Sequence, residues 1–157
     1  MSRKPAVLFV CLGNICRSPL AEAAFRKAAE EAGLDAEADS AGTAAYHVGE
    51  PPDPRSIATA ARYGIDIAHY RGRQIEPADF ERFTHILALD HSNLANIRRI
   101  APDGHSAHVA LVMDMVPVRE GAAVADPYYE GEEQFEYTWE DVWRAAQALV
   151  TRLSAAQ

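Results

Sequence analysis

Short apolar runs alternate along the chain with segments of helical periodicity, and this alternation restricts the fold more than any other feature. Apolar runs predict strands at residues 6–10, 85–90 and 108–113, and an alternating segment predicts one at residues 34–42. The first, AVLFV, is apolar at every position, as expected for a strand covered on both faces. Strands that alternate with helices form a parallel sheet. The sequence therefore predicts an α/β fold, a four-stranded parallel sheet with helices on both faces.

Helical patterns follow each predicted strand. The first helix is expected to have Ser18 as its N-cap and Pro19 as its first helical residue, and to end at Gly33. Further helices are predicted at residues 53–64, 76–83 and 94–100, and a long C-terminal helix carries aromatic residues at core spacing. A chain of 157 residues without repeats or linkers is expected to form a single domain, residues 1–157.

Charge and hydropathy exclude several classes of function. The net charge is −8, and residues 120–141 contain eight acidic and no basic residues. This charge disfavours binding to nucleic acid or to anionic membranes. The N-terminal apolar run follows Arg3 and Lys4 like the core of a signal peptide, but it is shorter than the roughly 7–15 residues that such a core needs. We expect a mature cytoplasmic protein that does not insert into membranes.

The stretch VCLGNICRSP, residues 10–19, joins the first predicted strand to the first predicted helix. Ligands of parallel α/β proteins bind beyond the carboxyl ends of strands, and the unpaired N–H groups of a helix N-terminus suit an oxyanion. Gly13 is expected to allow a tight turn and a close backbone approach. Arg17 adds a planar fork for two phosphate oxygens. No nucleotide-binding glycine pattern is present, so the segment predicts a phosphate loop of another kind.

Cys11 begins this loop, and its position indicates nucleophilic chemistry. A helix N-terminus and a cationic neighbour favour the thiolate form of a cysteine. A thiolate below a bound phosphate can attack phosphorus, while Arg17 and the loop amides stabilise the transferring group. Ser18 can hydrogen-bond the sulfur. Taken alone, Cys11 is typical of a small buried residue, and Cys16 lacks the further cysteine or histidine pair of a zinc site.

The segment VCLGNICRSPLAEAAF resembles the C-x5-R-[ST] phosphate loop of the low-molecular-weight protein tyrosine phosphatases. The resemblance continues through DSAGTAAYHVGEPPDPR, RQIEPADFERFTHILALDHSNL and ADPYYEG. It implies that Cys11 is the nucleophile, that Arg17 holds the phosphate and that Ser18 tunes the thiolate. It also implies a loop-bracing Asn14 with Ser40 and His69 as hydrogen-bond partners. The phosphate-binding residues it implies are Leu12, Gly13, Asn14, Ile15, Cys16, Arg17 and Ser18.

The reaction also requires a proton donor, because phenolate is the conjugate base of an acid of pKa about 10. Asp126 in ADPYYEG is the candidate, since Pro127 favours extended geometry before it. An aspartate beside a proline is also common in turns. The resemblance implies that Asp126 is the general acid and then the base. It also places Tyr128 and Tyr129 in the substrate crevice.

The resemblance implies two further features. Leu12 and Tyr46 are expected on the crevice, where Tyr46 stands at a position that is tryptophan in many animal members. Family members with a second loop thiol can form a reversible disulfide with the nucleophile, here between Cys11 and Cys16, which would protect the nucleophile from irreversible oxidation.

The sequence therefore predicts a protein tyrosine phosphatase that hydrolyses phosphotyrosine in proteins or peptides, and aryl phosphates, through a phosphocysteine intermediate. It is expected to bind phosphate and other oxyanions and to need no metal or cofactor. An arsenate reductase on the same fold is the first alternative, although such enzymes pass a disulfide to downstream cysteines and none follows Cys16. A non-catalytic phosphate-binding module is the second, although thiol and acid candidates are both present.

Overall fold

The computed structural model describes residues 3–156, in which four strands form one parallel sheet in the order β2-β1-β3-β4. The strands are β1 (Ala6–Cys11), β2 (Glu37–Gly42), β3 (His85–Ala88) and β4 (His108–Leu111). The helices are α1 (Arg17–Ala32), α2 (Pro54–Arg62), α3 (Asp79–Arg82), α4 (His91–Ile100) and α5 (Glu132–Ala155). The predicted four-stranded parallel sheet is confirmed.

Strand β1 is central, and all six of its residues are buried. Its side chains alternate between two hydrophobic clusters. Val7 and Phe9 belong to the cluster that contains α1 and α5, whereas Leu8 and Val10 belong to the one that contains α3 and α4. Burying a side chain such as Phe9 stabilises the fold by about 1.5–3 kcal/mol. The continuous apolar run therefore reflects a strand with helices on both faces, as predicted.

Helix α5 packs along α1 with one face, where Phe135, Trp139 and Leu149 are buried. Its aromatic residues are core residues, as the helical spacing predicted. Trp139 also stacks on Tyr63, with ring centroids 4.7 Å apart. In the part of the chain that the structure describes, no helix is both long and apolar enough to cross a membrane.

Several predicted boundaries are wrong by a few residues. The fourth strand ends at Leu111, and Val112–Met115 forms a 3₁₀ turn in which the Asp114 carboxylate accepts the Leu111 N–H at 3.1 Å. Val112 and Met113 are buried in either conformation, so hydrophobicity alone does not separate strand from turn. The helix predicted at residues 76–83 is the single turn α3. The N-cap of α1 is Cys16 and not Ser18.

The strand order places the segment between β1 and α1 where the chain reverses direction across the sheet. The chain passes from β1 to β2 on one side of β1, and β3 then pairs on its other side. At such a point the connections diverge and leave a crevice beyond the carboxyl ends of the strands. Residues 11–17, the phosphate loop, lie at this edge.

Candidate active site

The phosphate loop is hydrogen-bonded to the residues that directly follow β2. Thr43 N–H donates to the carbonyl of Cys11 at 2.9 Å, and Ala44 N–H donates to the carbonyl of Leu12 at 3.0 Å. Gly42 packs so closely that a Cβ atom there would lie 2.6 Å from the Leu12 carbonyl oxygen. No side chain at position 42 fits without moving the loop. These bonds occupy the carbonyls of Cys11 and Leu12, and the N–H groups of such a loop can bind an anion.

The sulfur of Cys11 lies at the base of the loop among hydrogen-bond donors. Asn14 N–H donates to Sγ at 3.3 Å, and the Ser18 hydroxyl lies 3.1 Å from it. The Ser18 oxygen accepts Asn14 Nδ2 at 2.8 Å, so its own hydrogen is free for the sulfur. Both contacts can stabilise negative charge on the sulfur when it forms or breaks a bond to an electrophile.

Asn14 braces the loop from a backbone conformation that few residues adopt. Its φ is 60°, in the left-handed region, which costs about 1–2 kcal/mol for a residue with a side chain. Its Oδ1 accepts the backbone N–H of Arg73 at 3.0 Å, while its Nδ2 donates to Ser18. The tight turn predicted at Gly13 is therefore made by Asn14, since Gly13 has no left-handed φ.

Arg17 begins α1, and its side chain is 3% exposed. One terminal nitrogen donates to the Asp90 carboxylate at 2.7 Å and to the Val124 carbonyl at 2.9 Å. The other lies 3.7 Å from the Asp126 carboxylate. A buried guanidinium with these partners has a fixed orientation, as bidentate recognition of two phosphate oxygens requires.

Asp126 lies on the segment between the 3₁₀ turn and α5, which we call the acid loop, residues 125–131. Just before it, Val124 N–H donates to the carbonyl of Leu89, at the end of β3, at 2.8 Å. The Asp126 side chain is 46% exposed, and its Oδ1 accepts the Tyr128 N–H at 3.1 Å. The carboxyl group is thus open to solvent on the same crevice that Cys11 lines.

A crevice of about 250 Å³ brings the predicted site residues together. The two tyrosines of the acid loop form one wall, with ring centroids 4.9 Å apart and perpendicular planes. Tyr46 and Tyr129 are strongly exposed at the mouth, whereas Cys11 is buried at the base. The lining residues are Cys11, Leu12, Gly13, Ile15, Cys16, Arg17, Tyr46, His47, Asp126, Tyr128 and Tyr129.

A model of the family described as low molecular weight phosphotyrosine protein phosphatase matches residues 6–157. The chain belongs to this family. A relative from Schizosaccharomyces pombe with the same description is 46% identical over 138 residues, which cover 86% of this chain and 88% of the relative. The relative from Homo sapiens is 38% identical over 151 residues, which cover 94% of both chains. This phosphatase is therefore a hydrolase of the protein tyrosine phosphatase class.

Solved structures agree with the sequence relatives. YfkJ from Bacillus subtilis is 35% identical and superposes with a TM-score of 0.91. The aligned region covers 99% of this chain and 98% of the other. Drosophila arginine phosphatase is 28% identical, with a TM-score of 0.89 over 96% and 99% of the two chains. The crevice of this phosphatase thus lies on the family's α/β fold, with Cys11 and Arg17 in the phosphate loop, as a cysteine-based mechanism requires.

The predicted partners of Asn14 are wrong for this phosphatase. Among the described residues, the Asn14 side chain hydrogen-bonds Ser18 and Arg73, and neither Ser40 nor His69. The Ser40 hydroxyl donates instead to the buried Glu22 carboxylate at 2.8 Å. The His69 ring packs edge-on against Tyr70, with centroids 5.0 Å apart. The backbone N–H of Arg73 makes the hydrogen bond to Asn14 that was expected from a side chain. A backbone donor leaves no signal in the sequence.

Two further residues, which the sequence did not predict, brace the site. Asp90 holds Arg17 and also caps α4 by accepting the Asn93 N–H at 2.8 Å. Its position directly after an apolar strand was a usable signal, because the carboxyl ends of parallel strands share one edge. Arg73 is clamped between the carboxylates of Asp39 at 3.1 Å and Asp79 at 3.0 Å, which fixes the segment that braces Asn14.

Cys16 differs from Cys11 in its surroundings. Both are buried, free cysteines. Burial is the main cause that raises the pKa of the Cys16 thiol far above its ordinary value, and the Asp53 carboxylate adds to it. Cys16 is therefore a protonated thiol at neutral pH. Of the two sulfurs, only Cys11 has hydrogen-bond donors directed at it from the described residues.

Proposed function

We propose that this phosphatase hydrolyses phosphotyrosine with Cys11 as nucleophile, Arg17 as phosphate clamp and Asp126 as general acid and base. The observation that carries the proposal is the position of the Cys11 sulfur at the base of the crevice, with Arg17 and Asp126 on its lining. Asp126 lies 3.7 Å from the Arg17 guanidinium. A phosphate held by Arg17 therefore lies between the thiolate and the acid.

In the first step, Cys11 Sγ forms a bond to phosphorus as the bond from phosphorus to the phenolic oxygen breaks. Asp126 gives its proton to that oxygen, so the leaving group departs as neutral tyrosine. The charge on the three equatorial oxygens is stabilised by Arg17 and by the amides of Leu12, Gly13, Ile15, Cys16 and Ser18. Because α1 has no side-chain cap, its first N–H groups remain free for this purpose.

In the second step, water attacks the phosphocysteine and the bond between sulfur and phosphorus breaks. The Asp126 carboxylate takes the proton of the water, and inorganic phosphate and the Cys11 thiolate are released. The Ser18 hydroxyl, 3.1 Å from the sulfur, stabilises the departing thiolate. Its oxygen accepts from Asn14, which orients its hydrogen toward the sulfur.

The shape of the crevice supports an aromatic substrate. Cys11 is buried, so a phosphate reaches it only at the end of a long, narrow side chain. Tyr128, Tyr129, Tyr46 and Leu12 line the way and offer ring faces and apolar surface to a phenyl ring. A phosphoarginine side chain would bring several N–H groups into these walls, where Asp126 is the only carboxylate that the described part of the chain places on the lining. Unpaired buried donors are costly, so we expect a phosphotyrosine peptide to be the better substrate.

Rapid mixing with p-nitrophenyl phosphate, followed by acid quench and mass spectrometry, tests the proposal. Wild type should carry one phosphoryl group on the peptide that contains Cys11. Cys11→Ser should lose turnover by at least about a thousandfold and still bind inorganic phosphate. Turnover that survives in Cys11→Ser would refute the assignment of the nucleophile.

We also propose that Cys16 protects the nucleophile by disulfide formation. A peroxide oxidises the Cys11 thiolate to sulfenic acid and is itself reduced, and the Cys16 sulfur then displaces water to form the Cys11–Cys16 bond. Cys16 is the fifth residue after Cys11, at the other end of the same loop. The need for a reduced Cys11 favours a reducing compartment, and we propose the cytoplasm.

A further inference from the structure

Arg55 joins helix α2 to the acid loop through one guanidinium group. Its Nε and one terminal nitrogen donate to the two oxygens of the Asp53 carboxylate, at 3.0 and 2.9 Å. That terminal nitrogen also donates to the Tyr128 carbonyl at 2.9 Å, and the other one donates to the Glu130 carbonyl at 3.0 Å. Arg55 therefore contacts the backbone on both sides of Tyr129.

The start of α2 is also attached to the phosphate loop. The backbone N–H of Asp53 donates to the Ile15 carbonyl at 2.8 Å, and the Ser56 hydroxyl donates to the Cys16 carbonyl at 3.3 Å. Residues 53–56 thus contact the loop of the nucleophile through two hydrogen bonds and the loop of the acid through Arg55. This short segment therefore connects the two loops.

The acid loop has few other attachments. Within residues 3–156, the only hydrogen bonds from another segment to the backbone of residues 125–130 come from Arg55. The remaining bonds of this backbone are local, such as Glu130 N–H to the Pro127 carbonyl at 2.9 Å. Asp126 itself meets Arg17 at 3.7 Å, beyond hydrogen-bond length.

The guanidinium is already oriented for this role. Asp53 is 9% exposed in its side chain, and the hydrogen bonds from Arg55 keep the pKa of its carboxyl group below the ordinary value, so it is charged at neutral pH. The Arg55 guanidinium also lies over the Phe135 ring at 4.6 Å and near the Tyr128 ring at 5.7 Å. These cation–π contacts place the Tyr128 ring against the crevice.

We propose that Arg55 is a positioning residue that holds Asp126 at the distance required for proton transfer to the leaving group, an inference that rests on the proposed role of Asp126. Arg55 lines no part of the crevice and acts through the acid loop. Removal of its guanidinium leaves the nucleophile and the phosphate clamp in place. The loss of activity should therefore arise from slower protonation of the leaving group.

The test compares kcat/KM for two substrates, since this ratio reports the step that releases the phenol. Phenyl phosphate requires a proton for departure, whereas 2,4-dinitrophenyl phosphate releases a much stronger acid that departs without one. Arg55→Met should lower kcat/KM for phenyl phosphate by about tenfold or more, because displacement of a catalytic group by about 1 Å costs up to a hundredfold. The loss with dinitrophenyl phosphate should stay below about threefold.

Arg62→Met is the matched control. Arg62 lies on the same helix and pairs with Glu136 of α5, so its loss removes another link between α2 and α5 without touching the acid loop. Arg62→Met should lower kcat/KM for both substrates by the same factor or leave it unchanged. Arg55→Lys carries the test if Arg55→Met does not fold, because lysine keeps charge and length but cannot bind Asp53 and both carbonyls together.

Asp126→Asn separates the two ways of failing. When Arg55→Met is added to Asp126→Asn, kcat/KM for phenyl phosphate should fall by less than about threefold further, since the two residues act on one step. If Asp126→Asn shows the selective loss and neither Arg55→Met nor Arg55→Lys does, only the inference about Arg55 is overturned. Equal losses with both substrates in Asp126→Asn would refute the acid itself, and the positioning role with it.

Discussion

The Arg17 guanidinium donates to the Asp90 carboxylate at 2.7 Å, and this bond joins the loop after β1 to the loop after β3. Arg17 is buried, and Asp90 is 25% exposed in its side chain. The pair keeps the guanidinium oriented before any phosphate arrives. Groups that need no reorganisation during reaction stabilise a transition state most effectively, so we expect Asp90 to support catalysis through Arg17.

Asp90→Asn should weaken that orientation while keeping an oxygen to cap α4. A hydrogen bond between charged groups contributes about 1.5–3 kcal/mol, so kcat/KM should fall by about tenfold to a hundredfold. The inhibition constant for inorganic phosphate should rise with it. The control is Asp103→Asn, an exposed aspartate after α4. Unchanged phosphate inhibition and unchanged kcat/KM in Asp90→Asn would contradict the role.

Asp126→Asn should slow substrates in proportion to the basicity of their leaving groups. A positioned general acid contributes about a hundredfold to ten-thousandfold, and kcat/KM for phenyl phosphate should fall within that range. A plot of log kcat/KM against the pKa of the leaving phenol should become steeper than in wild type. A parallel plot, shifted down without a change of slope, would mean that Asp126 is not the donor.

Asn14 combines a left-handed backbone with a side-chain bridge, and two substitutions separate these features. Asn14→Gly keeps the positive φ at no steric cost but loses the bridge from Ser18 to Arg73, whereas Asn14→Ala loses the bridge and adds strain. Asn14→Ala should therefore be less stable than Asn14→Gly by about 1 kcal/mol, measured by urea denaturation. Both should lose activity to a similar extent. Equal stability of the two variants would contradict the strain argument.

Cys16→Ser should change the reversibility of oxidation. Because Cys16 is protonated at rest, basal activity with p-nitrophenyl phosphate should stay within about threefold of wild type. After hydrogen peroxide, wild type should recover most of its activity with dithiothreitol, whereas Cys16→Ser should recover much less because its sulfenic acid oxidises further. Mass spectrometry of the peptide with residues 11–16 distinguishes disulfide from sulfinic acid. Equal recovery in both proteins would exclude protection by Cys16.

Glu22 predicts a pH dependence of stability. Its carboxylate is 5% exposed, and burial raises its pKa above the ordinary 4.5 although Ser40 and Arg26 partly oppose this. As pH rises through about 4.5, the unfolded chain releases the proton before the folded protein does, so the free energy of unfolding falls. Wild type should thus lose stability relative to Glu22→Gln between acid and neutral pH.

Urea denaturation at several pH values checks this dependence, with Glu30→Gln, an exposed glutamate of the same helix, as the control. The difference in unfolding free energy between wild type and Glu22→Gln should shrink or change sign as pH rises. For Glu30→Gln it should stay constant. A difference for Glu22→Gln that grows with pH would show that its pairing with Arg26 outweighs its burial.

Much of the fold was readable from local patterns. The run at residues 6–10 is apolar at each position because β1 is covered on both faces, and Asp53 with Pro54 marks the start of α2, where the Asp53 carboxylate accepts the Arg55 N–H at 2.8 Å. Ser18 was misassigned as a cap, because its preference for helix starts does not distinguish a backbone partner from the Cys11 sulfur. Its hydroxyl faces the sulfur instead.

The sequence alone determined which residues meet within the phosphate loop, because Cys11, Asn14, Arg17 and Ser18 lie within one strand-to-helix turn and no distant residue is needed to bring them together. The tertiary structure decided what braces them. Asn14 meets Arg73 at a separation of 59 residues, and Arg17 meets Asp90 at 73 and Val124 at 107. These contacts depend on strand order and loop path, since hydrogen bonds are short and directional while sequence patterns report only burial and local backbone preference.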